Sequence, residues 1–208
     1  MMLALAVALR VSAAAATDRA VRIVVLGDSL TAGLGLRADE TFPVKLEQAL
    51  RAKGLAVEVA NAGVSGDTAS SGLARLDWSV PEGTDAVIVE LGANDMLRGI
   101  NPKVTRQALA EIVHRLAGRH MAVLLAGMRA APNLGSDYGR DFEAIYSELA
   151  AGNGLLFYPF FLDGVAGEAG LNQRDGLHPT AAGIDAIVAR ILPKVEELVG
   201  RARDKRVM

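Results

Sequence analysis

From Val21 onward the chain alternates between two hydrophobic patterns that cannot share one element, and this alternation is its strongest constraint. Short, unbroken apolar runs occupy Arg22–Leu26, Val57–Ala60, Ala86–Leu91, Ala122–Ala126 and Leu155–Tyr158. Helical spacing of apolar residues covers Thr41–Lys53, about Ser70–Leu76, Val104–Arg119, Tyr138–Ala151 and Ala181–Val199. A strand that is apolar on both faces must be covered on both faces, and a parallel neighbour requires a crossover long enough to hold a helix. The pattern therefore predicts an α/β chain, a three-layer αβα sandwich with a central parallel sheet of about five strands.

Composition narrows the class. With 208 residues, 51% hydrophobic and 22% charged, the chain has enough apolar material for one core and no signature of disorder. Residues 20–208 read as a single domain. A net charge of −2, with a basic cluster only at Arg201–Arg206, argues against a nucleic-acid surface, and that tail reads as a solvated end. The lack of cysteine excludes disulfides, thiolate metal ligands and cysteine nucleophiles. Residues 1–19 stand apart. Met1–Ala16 is apolar and alanine-rich, and Ala14-Ala15-Ala16 fits a signal-peptide cleavage site. No cationic start precedes it and Arg10 interrupts it, so an extra N-terminal helix is the competing reading. The stretch is shorter than the ~20 apolar residues of a bilayer span, so no stable membrane span is expected. Cleavage would place the protein in the periplasm or outside the cell, retention in the cytoplasm.

Open α/β sheets bind ligands beyond the carboxyl ends of their strands. That directs attention to Gly27–Leu36, Asn61–Thr68, Gly92–Asn101 and Met128–Ser136. In the first of these, Ser29 reads either as a helix N-cap or as a nucleophile, with Asp28 as a turn residue. A serine nucleophile needs a base, a group orienting that base, and donors for the oxyanion. The chain has three histidines. His114 falls on the solvent face of a helical stretch, and His120 at its end reads as a capping cation. His178 lies in Asp175-Gly-Leu-His-Pro-Thr180, before the last helix, where Thr180 is an N-cap candidate. Asp175 can fold back onto the imidazole and fix its tautomer, leaving the other nitrogen to take a proton from serine. The glycines of Asn61–Thr68 admit close approach of backbone N–H groups, and Asn94 stands just past the third apolar run. Together Ser29, Gly66, Asn94, Asp175 and His178 supply every group an acyl-transfer site requires. No second histidine stands at ligand spacing, so no metal site is expected.

These residues lie in four blocks: Gly27-Asp-Ser-Leu-Thr-Ala-Gly33, Ser65-Gly-Asp-Thr68, Gly92-Ala-Asn-Asp95 and Asp175-Gly-Leu-His178. In order and spacing the sequence resembles the SGNH (GDSL-type) hydrolases, specifically the bacterial branch of thioesterase I, lysophospholipases and arylesterases, from about Val21 to Gly200. The resemblance implies the flavodoxin-like SGNH hydrolase fold and a serine esterase acting on aryl or acyl esters, or on thioesters. It implies Ser29 as nucleophile, His178 as base and Asp175 as its orienter. The Ser29 N–H, the Gly66 N–H and the Asn94 side-chain amide would form the oxyanion hole. Leu97 and Arg98 on one loop, and Met128 and Pro132 on another, read as walls of an apolar substrate groove. No cofactor is implied, and no partner beyond a small-molecule ester or thioester.

Two other enzymes and a binding module compete for the same features. Gly33, Gly35 and Ala38 loosely imitate a dinucleotide fingerprint, but Gly33 lies too far past the first strand, and Glu58 falls within the second strand rather than at its end. An α/β-hydrolase would need a Gly-x-Ser-x-Gly elbow, which the sequence lacks. A non-catalytic acyl- or glycan-binding relative would typically have lost Ser29 or His178, and both are present.

Overall fold

The computed structural model describes residues 19–207 and contains one sheet of five parallel strands. These are β1 (Val21–Gly27), β2 (Val57–Gly63), β3 (Ala86–Glu90), β4 (Ala122–Ala126) and β5 (Leu156–Tyr158), in spatial order β2-β1-β3-β4-β5. The helices are α1 (Ser29–Ala32), α2 (Phe42–Ala52), α3 (Ala69–Ala74), α4 (Leu76–Ser79), α5 (Ala93–Leu97), α6 (Pro102–Gly118), α7 (Ser136–Asn153) and α8 (Ala181–Val207). α2 packs with α8 on one face of the sheet, while α3, α6 and α7 pack together on the other. The αβα sandwich expected from the sequence is the fold observed. The expectations for residues 1–18 lie outside the described residues, and no described helix is long and apolar enough to cross a membrane.

The strand assignments follow from burial. β3 and β4 are buried at every position, and Val25, Ile88 and Leu124 are fully enclosed. Each such side chain contributes about 1.5–3 kcal/mol on leaving water. The edge strand β2 runs three residues past its expected end at Ala60, through Asn61, Ala62 and Gly63. Its polar composition hides this extension, which exists because the parallel ladder with β1 continues to Gly27 opposite Gly63. From β1 the chain goes to β2 on one side and then to β3 on the other, which opens a crevice between the carboxyl ends of β1 and β3.

The structure corrects three further expectations. The helix read as Ser70–Leu76 is two helices that break at Arg75. The loop after β3 begins with α5, which is too short for any periodicity to betray. The tail Arg201–Arg206 is not a solvated end, because α8 continues through it. Ala202 is buried, Lys205 donates to the Met121 carbonyl at 2.8 Å, and Arg206 pairs with Asp85 and donates to the carbonyls of Arg19 and Ala20. Burial works to raise the Asp85 pKa, but hydrogen bonds from Arg206, Arg19 and the Arg22 N–H hold it at about 2.

His114 is exposed on α6, as expected. His120 terminates that helix differently from the expectation. Its backbone, at φ 57°, donates to the Ala117 carbonyl at 2.9 Å, so it acts through its main chain rather than as a capping cation. It is the one non-glycine residue with positive φ among the described residues. A Cβ in that conformation costs about 1–2 kcal/mol. Glycine is accordingly the residue such helix ends select. His120→Gly should therefore raise stability by about 1 kcal/mol, less whatever the freer unfolded chain takes back, read as a higher urea midpoint at unchanged slope.

Candidate active site

The first strand ends in a tight reversal onto a helix. A Cβ at Gly27 would stand 2.1 Å from Thr31 Oγ1 and 2.6 Å from Glu90 Oε2, so only glycine lets α1 fold back over the strand end. Asp28 then caps α1 by accepting from the Leu30 N–H at 3.0 Å. The N-cap role read as an alternative for Ser29 thus belongs to Asp28, and Ser29 becomes the first helical residue. Gly33, at φ 82°, ends the helix by donating its N–H to the Ser29 carbonyl.

The Asp175–His178 loop is tied at its base. Asn172 pairs with Pro179 as an isolated bridge, the Gln173 N–H donates to the His178 carbonyl at 2.7 Å, and the Thr180 N–H donates to the Leu171 carbonyl at 2.9 Å. Thr180 also caps α8 by accepting from the Gly183 N–H. Within the loop Asp175 Oδ1 accepts from the N–H groups of His178 and Leu177 at 3.0 and 2.9 Å, while Oδ2 lies 2.6 Å from His178 Nδ1. The His178 backbone and ring, followed by the Leu177 N–H, hold the Asp175 carboxylate at a pKa of about 2. His178 Nε2 stands 2.8 Å from Ser29 Oγ. The three residues singled out in the sequence are thus brought into one hydrogen-bonded row. Gln173, which no motif marked, clamps the loop to the region after α1 by donating to the carbonyls of Leu34 and Pro179.

The other two strand ends converge on the same place. Gly66 has φ 88°, a conformation in which any side chain is strained. Among the described residues neither its N–H nor that of Ser29 has a protein acceptor. The Asn94 amide nitrogen donates to Asp28 Oδ2 at 3.1 Å and to the Asp67 carbonyl at 3.0 Å, so both its hydrogens already have acceptors. Next to it, the fully buried Asp95 accepts from Thr105 and from the Ala69 N–H at the start of α3, joining α6 to the loop after β2. Asp28 proves to be more than a turn residue: it links the loop after β1 to the loop after β3.

A cavity of about 280 Å³ opens beside Ser29, Asn94 and His178. Leu97, Met128 and Pro132 line it, together with Phe160 and Leu177. Arg98 does not line it, because its guanidinium turns to the Gly66 carbonyl at 2.7 Å. The Arg129 guanidinium lies over the Phe160 ring, 4.9 Å from its centroid, at the cavity wall.

Behind Ser29 lies a pair of fully buried acids. Burial pushes the Asp28 pKa up to about 6, against hydrogen bonds from Leu30 and Asn94. Glu90 is pushed well above its ordinary 4.5, first by burial and then by the charge of Asp28. Its Oε2 accepts from Thr31 Oγ1 at 2.8 Å, and its Oε1 has no partner. A folded state that keeps this proton binds more protons than the unfolded chain once pH exceeds the ordinary value. Stability then falls as pH rises, by up to about 1.4 kcal/mol per pH unit for one group. Glu90→Gln has no proton to lose, so its stability relative to the native sequence should climb between pH 5 and pH 8. Urea unfolding at the two pH values checks this, and a constant difference would exclude a protonated Glu90.

The chain is similar to known proteins in sequence and in fold. The GDSL-like Lipase/Acylhydrolase family matches residues 25–186. Esterase TesA from Pseudomonas aeruginosa is 37% identical over 178 residues, covering 85% of this chain and 89% of its own length. Thioesterase 1/protease 1/lysophospholipase L1 from Escherichia coli is 38% identical over 167 residues, covering 80% of this chain and 77% of its own. The crystal structure of AlinE4, an SGNH-hydrolase family esterase, superposes with a TM-score of 0.73 at 44% identity, over 86% of this chain and 96% of that one. With the family match spanning all four sequence blocks and the fold in agreement, the chain belongs to the GDSL-like lipase/acylhydrolase family.

Proposed function

We propose that the protein hydrolyses carboxylic esters through an acyl-enzyme formed on Ser29. The observation that carries this reading is the row Asp175–His178–Ser29, with contacts of 2.6 and 2.8 Å, ending at an apolar cavity. Ser29 Oγ attacks the ester carbonyl while His178 Nε2 takes its proton. Asp175 keeps the hydrogen of the imidazole on Nδ1, so that Nε2 faces the serine, and it stabilises the imidazolium that forms. The developing oxyanion is met by the N–H groups of Ser29 and Gly66, which have no competing protein acceptor among the described residues. The Asn94 amide joins them by sharing a hydrogen now directed at Asp28 or Asp67. Protonated His178 then gives its proton to the departing alcohol or thiol. Water attacks the acyl-enzyme carbonyl as His178 takes its proton, and His178 then returns that proton to Ser29 Oγ as the carboxylic acid leaves.

The cavity favours an acyl or aryl group without charge, since Leu97, Met128, Pro132, Phe160 and Leu177 form much of its wall. A thioester or lysophospholipid would use the same groups, and the relative named as thioesterase 1 and lysophospholipase L1 supports keeping that second reading. A binding module without catalysis has less support, because Ser29 and His178 are both present and in contact. Export through residues 1–16 stays part of the proposal, and the intact mass of the mature protein tests it.

Ser29→Ala should lower p-nitrophenyl ester turnover by at least about 10³-fold with the fold intact. Native-like activity in that variant would sink the assignment. Asn94→Ala should cost about 3 kcal/mol in the barrier, roughly 10²-fold in kcat, with little change in KM, because the amide acts mainly on the transition state. A rate profile over esters of increasing acyl length, with one acyl-CoA included, separates the substrate classes. A sharp optimum at acetate favours an arylesterase, and sustained rates on long chains favour a lysophospholipase or thioesterase.

A further inference from the structure

Arg75, at the junction of α3 and α4, is only 7% exposed, yet the reaction proposed above makes no use of it. Its guanidinium has three acceptors. Nε donates to Asp67 Oδ2 at 2.5 Å, Nη1 to Ser79 Oγ at 2.9 Å and Nη2 to the Gly27 carbonyl at 2.9 Å. The ring of Trp78 lies on its outer side, 6.0 Å from the guanidinium carbon to the ring centroid.

Two of these acceptors matter because of where they sit. Gly27 is the last residue of β1, just before Asp28 and Ser29, and its carbonyl also accepts from the Val64 N–H at 3.1 Å. Asp67 directly follows Gly66, and its own carbonyl accepts the Asn94 amide at 3.0 Å. One buried fork therefore holds the end of β1, grips the loop after β2, and reaches Asn94 of α5 through a single peptide. A planar guanidinium can satisfy three acceptors at set angles, whereas a lysine ammonium on a flexible stem defines no such plane.

Resting on the acyl-transfer reading, we propose that Arg75 is a positioning residue. It holds the Gly27 carbonyl and Asp67 at one separation, and so sets the distance from Ser29 to the Gly66 N–H and the Asn94 amide. It touches no substrate itself. Oxyanion donors act only when they stand about 2.7–3.1 Å from the charge they meet, so a small slip of one loop lowers the rate steeply. Ground-state binding changes little, because the apolar cavity is walled by α5, the loop after β4 and the segment around Phe160, none of which Arg75 contacts through these bonds.

The test compares the native protein with Arg75→Lys and Asp67→Asn. A p-nitrophenyl phosphonate titrates reactive serines to completion, which gives kcat per competent site and removes any misfolded fraction from the comparison. The expected result is a fall in kcat of roughly 10- to 100-fold for Arg75→Lys and a smaller fall for Asp67→Asn, with KM within about twofold. The affinity for an alkyl boronic acid, which places a negative oxygen in the oxyanion site, should fall in parallel. A merely structural residue would lower the melting temperature and the titrated fraction, but leave kcat per site and boronate affinity alone, and that result overturns the proposal. If Arg75→Lys does not fold, Asp67→Asn decides: it keeps an acceptor oxygen for Nε, and native kcat and boronate affinity in it overturn the proposal equally. Failure of the acyl-transfer reading looks different, since the native protein itself would then take up no phosphonate.

Discussion

The site depends on the register of β1 between its two neighbours. Gly27 is paired with Gly63 of β2 on one side and with Glu90 of β3 on the other, so three loops leave the sheet at one level. A slip of one residue in either ladder would turn the strand's side chains to the opposite face, and burial of both faces of β1 and β3 forbids it. Because the chain reverses direction across the sheet at this point, the loops diverge and leave a crevice between them. Ser29, Gly66 and Asn94 enter that crevice from successive strands, and the Asp175–His178 loop reaches it from the far end of the chain.

Within that frame the local problem is electrostatic. The acyl transfer proposed for Ser29 would develop negative charge beside it, yet the residues around it include Asp28, Asp67 and Glu90. Each acid is handled differently. Asp67 is paired with Arg75, which is itself buried. Glu90 is enclosed beside Asp28, which favours its neutral form. Asp28 has its two oxygens committed to the Leu30 N–H and the Asn94 amide. Its link to Asn94 ties the loop that bears Ser29 to the side chain proposed to meet the oxyanion. Preorganised dipoles of this kind act without reorganising when the charge appears. The same acids explain why the neighbourhood is so densely hydrogen-bonded, since an isolated carboxylate buried here would be very costly.

Much of this is legible in the amino-acid sequence. The five strands and the long helices declare themselves because a buried parallel sheet demands continuous apolar runs, and the covering helices demand a different period. Ser29, Gly66, Asn94, Asp175 and His178 could be named because each sits at a strand end or in a short loop where its chemistry has few structural substitutes. What stayed hidden was of another kind. The polar extension of β2 exists only as a partner of β1. α1, α4 and α5 are a single turn or little more, too short for a period to show. The docked end of α8 looks like an exposed charge run until Asp85, more than a hundred residues earlier, meets Arg206. Arg98 reads as a groove residue by its position after Asn94, yet its side chain turns to the Gly66 carbonyl.

The sequence by itself determined the layers of the fold, the strand ends that face the crevice and the side chains proposed for acyl transfer. Periodicity, turn chemistry and the need for a base all act over a few residues or through residue type alone. Only the tertiary structure decided that Asp28 joins two loops rather than merely turning one, that Glu90 is enclosed with an unpartnered oxygen, and that Arg75 spans Gly27, Asp67 and Ser79. The decisive contacts join residues dozens of positions apart: Asp28 with Asn94, Glu90 with Thr31, and Arg75 with the Gly27 carbonyl. Their strength depends on exclusion of water, a property that no local stretch of sequence possesses.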